Sequence, residues 1–180
     1  TIAVLAVLLV LVILVVVILC MIFGGGSWKT PINNVMDVLN DGDGKAYEEL
    51  MPPYYKDMAD ALDGIIEISD EDFDEEAEKQ RDRLTKKYGD DAEISYEVVK
   101  KTEVDSDDID SYNDMSDLAS VLSVKKAKKY KLTKAYKVKI KYTIEGEDAD
   151  KTDKTTVIVG KMDGTWVLLD EGDLPISTGF

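Results

Sequence analysis

The sequence contains no histidine. That absence removes the commonest general base, the commonest metal ligand and any Ser or Cys nucleophile activated by an imidazole. There is one cysteine, Cys20, and it lies inside a long apolar run. No disulfide can form within the rest of the chain, so the fold must rest on packing. Positive charge is scarce: 22 Lys and Arg stand against 37 Asp and Glu, a formal net charge of −15 at pH 7. Residues 1–27 carry no charged side chain, so the whole imbalance belongs to residues 28–180. Such a balance argues against nucleic acid as a partner, because phosphates repel it. It also disfavours close contact with anionic lipid headgroups, and it favours solubility and a loose attraction of cations.

The chain begins with Ile2–Phe23, IAVLAVLLVLVILVVVILCMIF, without charge, proline or glycine. Its 22 residues, at about 1.5 Å each, span roughly 33 Å as a helix, enough for a hydrocarbon core of about 30 Å. A cleaved signal peptide has a shorter apolar region and a small-residue cleavage site, and no A-x-A pattern follows here. A lipoprotein signal places small residues before the modified cysteine, whereas Val17-Ile18-Leu19 precede Cys20. The run is apolar on every face, as a membrane span is, whereas a helix packed at the surface of a core carries one apolar stripe. The run therefore predicts a retained transmembrane helix over 1–23, with the lipid bilayer as its partner through Ile2–Phe23. Gly24-Gly25-Gly26-Ser27 predict a glycine-rich juxtamembrane linker over 24–29, and residues 30–180 a water-facing domain. A basic segment ahead of Thr1 would place the domain outside the cytoplasm, and Lys29 as the only basic residue close after the run fits that orientation.

The domain, about 150 residues, is large enough for one real core. Trp28 suits a membrane interface or the base of the domain. Thr30-Pro31 reads as the cap and first residue of a helix carrying Ile32, Val35, Met36 and Leu39 to about Asn40. Asn40-Asp41-Gly42-Asp43-Gly44 is a break. Ala46, Tyr47, Leu50 and Met51 mark a short helix stopped by Pro52-Pro53. Tyr54, Met58, Ala61 and Leu62 predict another, ended by Gly64. From Ser69-Asp70 an acidic helix carries Phe73, Ala77, Leu84 and Tyr88 on one face, with Lys86 and Lys87 near its C-terminus and Gly89 as its stop. Ile94, Tyr96 and Val98 alternate in a strand over about 92–102. Ile109, Tyr112, Met115, Leu118 and Leu122 predict a helix over 107–122. Tyr136, Val138, Ile140, Tyr142 and Ile144 alternate with lysines and Thr143 in a half-buried strand. After a polar loop over 146–153 come a strand over 155–161, an Asp163-Gly164 hairpin turn, a last strand over 166–170 and a short tail over 174–180.

Several stretches invite chemistry. Asp41-Gly42-Asp43-Gly44 suggests a calcium loop. Yet a start at Asp41 puts Lys45 at position five, and Gly44 at position six puts Leu39 at one and Leu50 at twelve, so neither register supplies the ligands. The acidic run Asp70–Glu76 fans its carboxylates around a helix rather than converging them. The second acidic cluster, Asp105–Asp117, reads the same way. The lysines of 125–141, interleaved with Tyr130, Tyr136 and Tyr142, read as the solvent face and core face of a strand rather than a single-strand nucleic-acid platform. No metal site and no cofactor is predicted. Catalysis would need a carboxylate and a tyrosine converging in a pocket, and no spacing selects such a pair.

The apolar run followed by GGGSWKTPI, a helix ending near Asn40-Asp41, a short helix and then Leu50-Met51-Pro52-Pro53 resembles the membrane-anchored extracytoplasmic domains of Gram-positive, clostridia-like bacteria. The closing stretch Lys161–Leu169, KMDGTWVLL, resembles the last hairpin of small domains with the nuclear transport factor 2-like, or cystatin-like, cone fold. The resemblance implies an α+β architecture: an N-terminal transmembrane helix, then helices packed on a curved antiparallel sheet. Relatives often carry a zinc ribbon ahead of the anchor, and no such Cys/His set lies within these 180 residues. The fold also hosts isomerases and dehydratases, but fold does not imply function, and dehydratase-like chemistry lacks its His here. The expectation is a single-pass, non-catalytic binding or sensing module of the bacterial cell envelope, meeting a small ligand or an envelope protein. Tyr47, Tyr96, Tyr136, Tyr142 and Trp166 are the expected lining of a pocket between helices and sheet. The alternatives are an enzyme using a pocket carboxylate and a structural spacer or assembly domain.

Overall fold

Residues 26–54, 69–116 and 130–177 are described by a computed structural model. The expected transmembrane helix, most of the helix expected over 54–62, the expected helix beyond Ser116 and the end of the tail lie outside them. Among the described residues no helix is long and apolar enough to cross a membrane. The described elements run α1 (Thr30–Asp41), α2 (Gly44–Leu50), α3 (Asp70–Tyr88), β1 (Glu93–Glu103), α4 (Ser106–Ser116), β2 (Leu132–Glu145), β3 (Lys151–Met162) and β4 (Thr165–Asp170). The strands form one antiparallel sheet in the order β1-β2-β3-β4, so the fold is mixed α+β.

Pro31 sits in the first turn of α1, where its missing N–H costs nothing, and Ile32, Val35, Val38 and Leu39 form its buried stripe. Gly42 ends α1 in the left-handed region at φ 66° and returns its N–H to Val38 O. The Asp43 carboxylate then accepts from Ala46 N at 3.0 Å and caps α2. The Asp-Gly-Asp-Gly run is thus a helix-to-helix turn. Gly44 allows α3 to approach closely, since a Cβ there would stand 2.7 Å from Asp74 Cα. On α3, Ala77, Gln80, Leu84 and Tyr88 face inward. Gln80, 1% exposed, holds the C-terminal tail by donating to Ser177 O at 3.1 Å and accepting from Ser177 N at 3.2 Å.

Helices α1, α2 and α3 pack against one another, and α1 lies on β1 and β4. The main core joins their stripes to Ile94, Val138, Ile140, Tyr142, Ile144, Val157, Val159 and Leu168. Alternation sends Lys137 and Lys139 to the other face, where they are exposed. Near the start of β2 that second face carries a smaller cluster of Tyr130, Met162 and Val167, joined by Tyr54, Tyr112 and Leu169. Helix α4 packs there on β2, and the buried Asn113 amide bonds both Leu132 N (2.7 Å) and Leu132 O (3.0 Å).

The sheet has two distinct ends. Asn40, late in α1, bonds Ile94 N and O at the start of β1, at 2.8 and 2.9 Å. Trp28, just before α1, meets Tyr136 near the start of β2, whose partner in β1 is Glu103. From Tyr136 to Glu145 the strand spans about 30 Å at ~3.3 Å per residue.

Three expectations need correction. Strand β3 begins at Lys151 rather than Thr155, so the loop is shorter than expected. Lys151, Thr152, Asp153 and Lys154 pair with 141–144 through their backbones and carry no apolar alternation to announce it. Strand β2 begins at Leu132, before the regular alternation, with a bulge between Leu132 and Lys134 masking the period. Val98, expected in the buried stripe, is 38% exposed, with Val99 at 52%. Strand β1 is an edge strand, and a bulge between Val98 and Lys100 interrupts its alternation there.

Candidate binding groove

At the Trp28 end, α1 begins, α2 finishes and β4 starts. Between them opens a groove of about 400 Å³, lined by Thr30, Asn34, Glu48, Glu49, Met51, Thr165 and Trp166. Local structure places each group. Thr30 and Asn34 sit one turn apart on α1. Glu48 and Glu49 occupy the last turn of α2, and Met51 leaves that helix in extended conformation before Pro52-Pro53. The tight turn at Asp163 (φ 49°) and Gly164 (φ 83°) sets Thr165 and Trp166 at the start of β4. Both central residues of that turn have positive φ, as a two-residue hairpin of type I′ requires.

Asn34 Nδ2 donates to Glu49 Oε2 at 3.2 Å, which fixes one carboxylate on the groove wall. The Trp166 ring stacks on Tyr136 with centroids 5.3 Å apart and planes 14° apart. Trp28 meets the same tyrosine edge-on at 6.3 Å. Lysine ammonium groups lie over these rings: Lys101 is 5.0 Å from Trp28 and 4.3 Å from Tyr136, Lys29 is 5.5 Å from Trp28, and Lys134 is 5.3 Å from Tyr136. Hydrogen bonds to Tyr136 and then to Glu103 push the Lys134 ammonium above the usual lysine range.

The five residues expected to line a pocket are not gathered in one place. Trp166 lines the groove, and Tyr136 stands behind it as its stacking partner. Tyr47 and Tyr142 lie in the main core, 6% and 0% exposed. The Tyr142 hydroxyl donates to Asp173 O at 3.3 Å and accepts from Lys151 Nζ at 2.7 Å. Tyr96 is half-buried, its hydroxyl donates to Asn33 Oδ1 at 2.6 Å, and burial pushes its pKa up. Sequence reasoning passes over Thr30, Asn34, Glu48, Glu49, Met51 and Thr165. The available signal is the Glu48-Glu49 pair directly before a proline-stopped helix end.

Seven side chains thus offer the groove two carboxylates, an amide, two hydroxyls, a thioether and an indole, with no Lys or Arg among them. Such a surface accepts hydrogen bonds and favours positive charge, and an indole face adds cation–π attraction. Asp37 has its pKa raised by burial, then by Asp41 and Asp43, but it is not part of the groove lining. Among the described residues no three Asp, Glu, His or Cys side chains gather as metal ligands. Comparison with known proteins returns no match, whether to a family model, a curated protein or a solved structure.

Proposed function

We propose that this chain is a single-pass, membrane-anchored binding or sensing module of the bacterial cell envelope, non-catalytic, and that its ligand is a small organic cation held in the groove beside Trp166. The finer fold in this reading is the cone-like, nuclear transport factor 2-like or cystatin-like arrangement, carried outside the cytoplasm on Ile2–Phe23. The observation that carries the reading is the groove lining itself: Glu48 and Glu49 on one wall, Trp166 on another, and no basic side chain between them. A volume of about 400 Å³ falls within the range of small-ligand sites. The formal net charge of −15 supplies a long-range field that draws cations in.

The test uses the full chain in detergent, titrated with spermidine, arginine amide and tetramethylammonium, with Trp fluorescence and thermal midpoint as readouts. At least one cation gives a saturable change in both. Glu48→Gln with Glu49→Gln weakens that binding tenfold or more, while Glu71→Gln on the exposed start of α3 leaves it unchanged. Linear responses to all three cations, or equal binding by the double variant, overturn the reading.

A further inference from the structure

The acidic balance of the whole chain hides a local exception at the Trp28 end. Lys29 and Lys101 are exposed there, and their ammonium groups lie over the half-buried Trp28 ring. Lys134 joins them over Tyr136 with 41% of its side chain exposed. Two nearby acidic groups have cationic neighbours: Glu103 lies 3.1 Å from Lys134, and Asp108 lies 3.6 Å from Lys137. Glu48 and Glu49 belong to the groove wall.

Chain length links this patch to the apolar run. Trp28 stands five positions beyond Phe23, so even a fully extended link holds it within about 18 Å of the end of the run. The opposite end of the sheet stands about 30 Å further along the strands. A tryptophan flanked by lysines has the chemistry of an interfacial anchor, the ring at headgroup depth and the ammonium groups among phosphates.

We propose that the face formed by Trp28, Lys29 and Lys101 rests on the headgroups of an anionic bilayer and so sets the orientation of the domain. The occupant is the phospholipid phosphate surface, rather than a soluble anion. This replaces the expectation, drawn from net charge alone, that the domain stands off anionic lipid. Each lysine near such a surface adds to the attraction, and the effect decays over a Debye length of about 8 Å at physiological salt. The arrangement places the groove, which begins at Thr30, beside the membrane. The proposal rests on Ile2–Phe23 being the membrane anchor.

The experiment reconstitutes the full chain in nanodiscs of phosphatidylcholine alone or rich in phosphatidylglycerol. Lysine acetylation by a water-soluble reagent is followed residue by residue by mass spectrometry. Lys29 and Lys101 react several-fold more slowly in the anionic discs, while Lys86 and Lys87, exposed at the far end of α3, react equally in both. Raising salt to about 0.5 M removes the difference, because screening then acts within a few ångström. Lys101→Gln reduces the protection of Lys29, and Lys86→Gln does not. Equal acetylation of Lys29 and Lys101 in both discs, with the chain inserted, overturns the orientation and leaves the anchor standing. A chain that does not enter the discs overturns the anchor and the orientation with it.

Discussion

Two asparagines do similar work at the residue scale. The Asn40 amide bonds N and O of Ile94, and the Asn113 amide bonds N and O of Leu132. Each satisfies the backbone of a residue at a strand start, where the ladder supplies no partner on that side. Asn113 is buried, so its loss leaves two desolvated backbone groups behind. Asn113→Ala is expected to destabilise the fold by about 2–3 kcal/mol, read as a lower urea midpoint with an unchanged slope. Arg81 works in the same way at the far end, donating to the carbonyls of Leu39 and Ala92 and thereby joining the end of α1 to the approach to β1. None of these roles is legible in the sequence. Asn40 reads locally as the polar end of a helix, and its partner lies 54 residues away. Hydrophobic period and turn chemistry report on neighbours in sequence, whereas a side-chain amide meeting a distant backbone leaves no periodic trace.

Elements are more legible. The stripe Ile32, Val35, Met36 and Leu39 marks α1, and Asp163-Gly164 marks the last hairpin, because period and positive-φ turn residues act locally. The start of α3 is also readable from Ser69-Asp70. Here the Asp72 carboxylate accepts from Ser69 N at 2.7 Å and from the Ser69 hydroxyl at 2.9 Å. The backbone bond, then the hydroxyl, hold the Asp72 pKa below the usual carboxylate value. A folded pKa below the unfolded one means the stabilisation is present above the unfolded value, about 3.9, and is lost as pH falls through the folded one. Asp72→Asn is therefore expected to flatten the acid limb of stability below about pH 4, measured by urea midpoints across pH. The groove is less legible than the elements around it. Tyrosine spacing points into the core, where Tyr47 and Tyr142 indeed lie, while the carboxylates of the groove meet Trp166 only because α2 ends beside β4.

For the whole molecule, the far end of the sheet is tied by a different chemistry from the Trp28 end. Lys151 donates to the Tyr142 hydroxyl at 2.7 Å and lies 3.3 Å from Asp153, while Tyr142 reaches Asp173 beyond β4. The Tyr142 bond, then Asp153, raise the Lys151 pKa. Because the folded value is the higher one, this contribution is complete below the unfolded pKa of about 10.4 and is lost as pH rises through the folded value. Lys151→Gln is expected to remove that part of the alkaline decline in stability. Thermal midpoints between about pH 10 and 12 test this directly.

The connections of the sheet differ sharply in length. Strands β1 and β2 are joined through residues 104–131, whereas β3 and β4 are joined by Asp163-Gly164 alone. Loop-closure entropy grows only logarithmically, so doubling the longer connection costs about 0.6 kcal/mol. One residue added to the two-residue turn acts through geometry instead. It slips the register of β4 and turns Leu168 out of the core and Trp166 away from Tyr136 and the groove. Insertions and deletions accumulated by descendants of this gene would therefore be expected between β1 and β2, outside the stretch of α4 that holds Leu132, and purged at Asp163-Gly164.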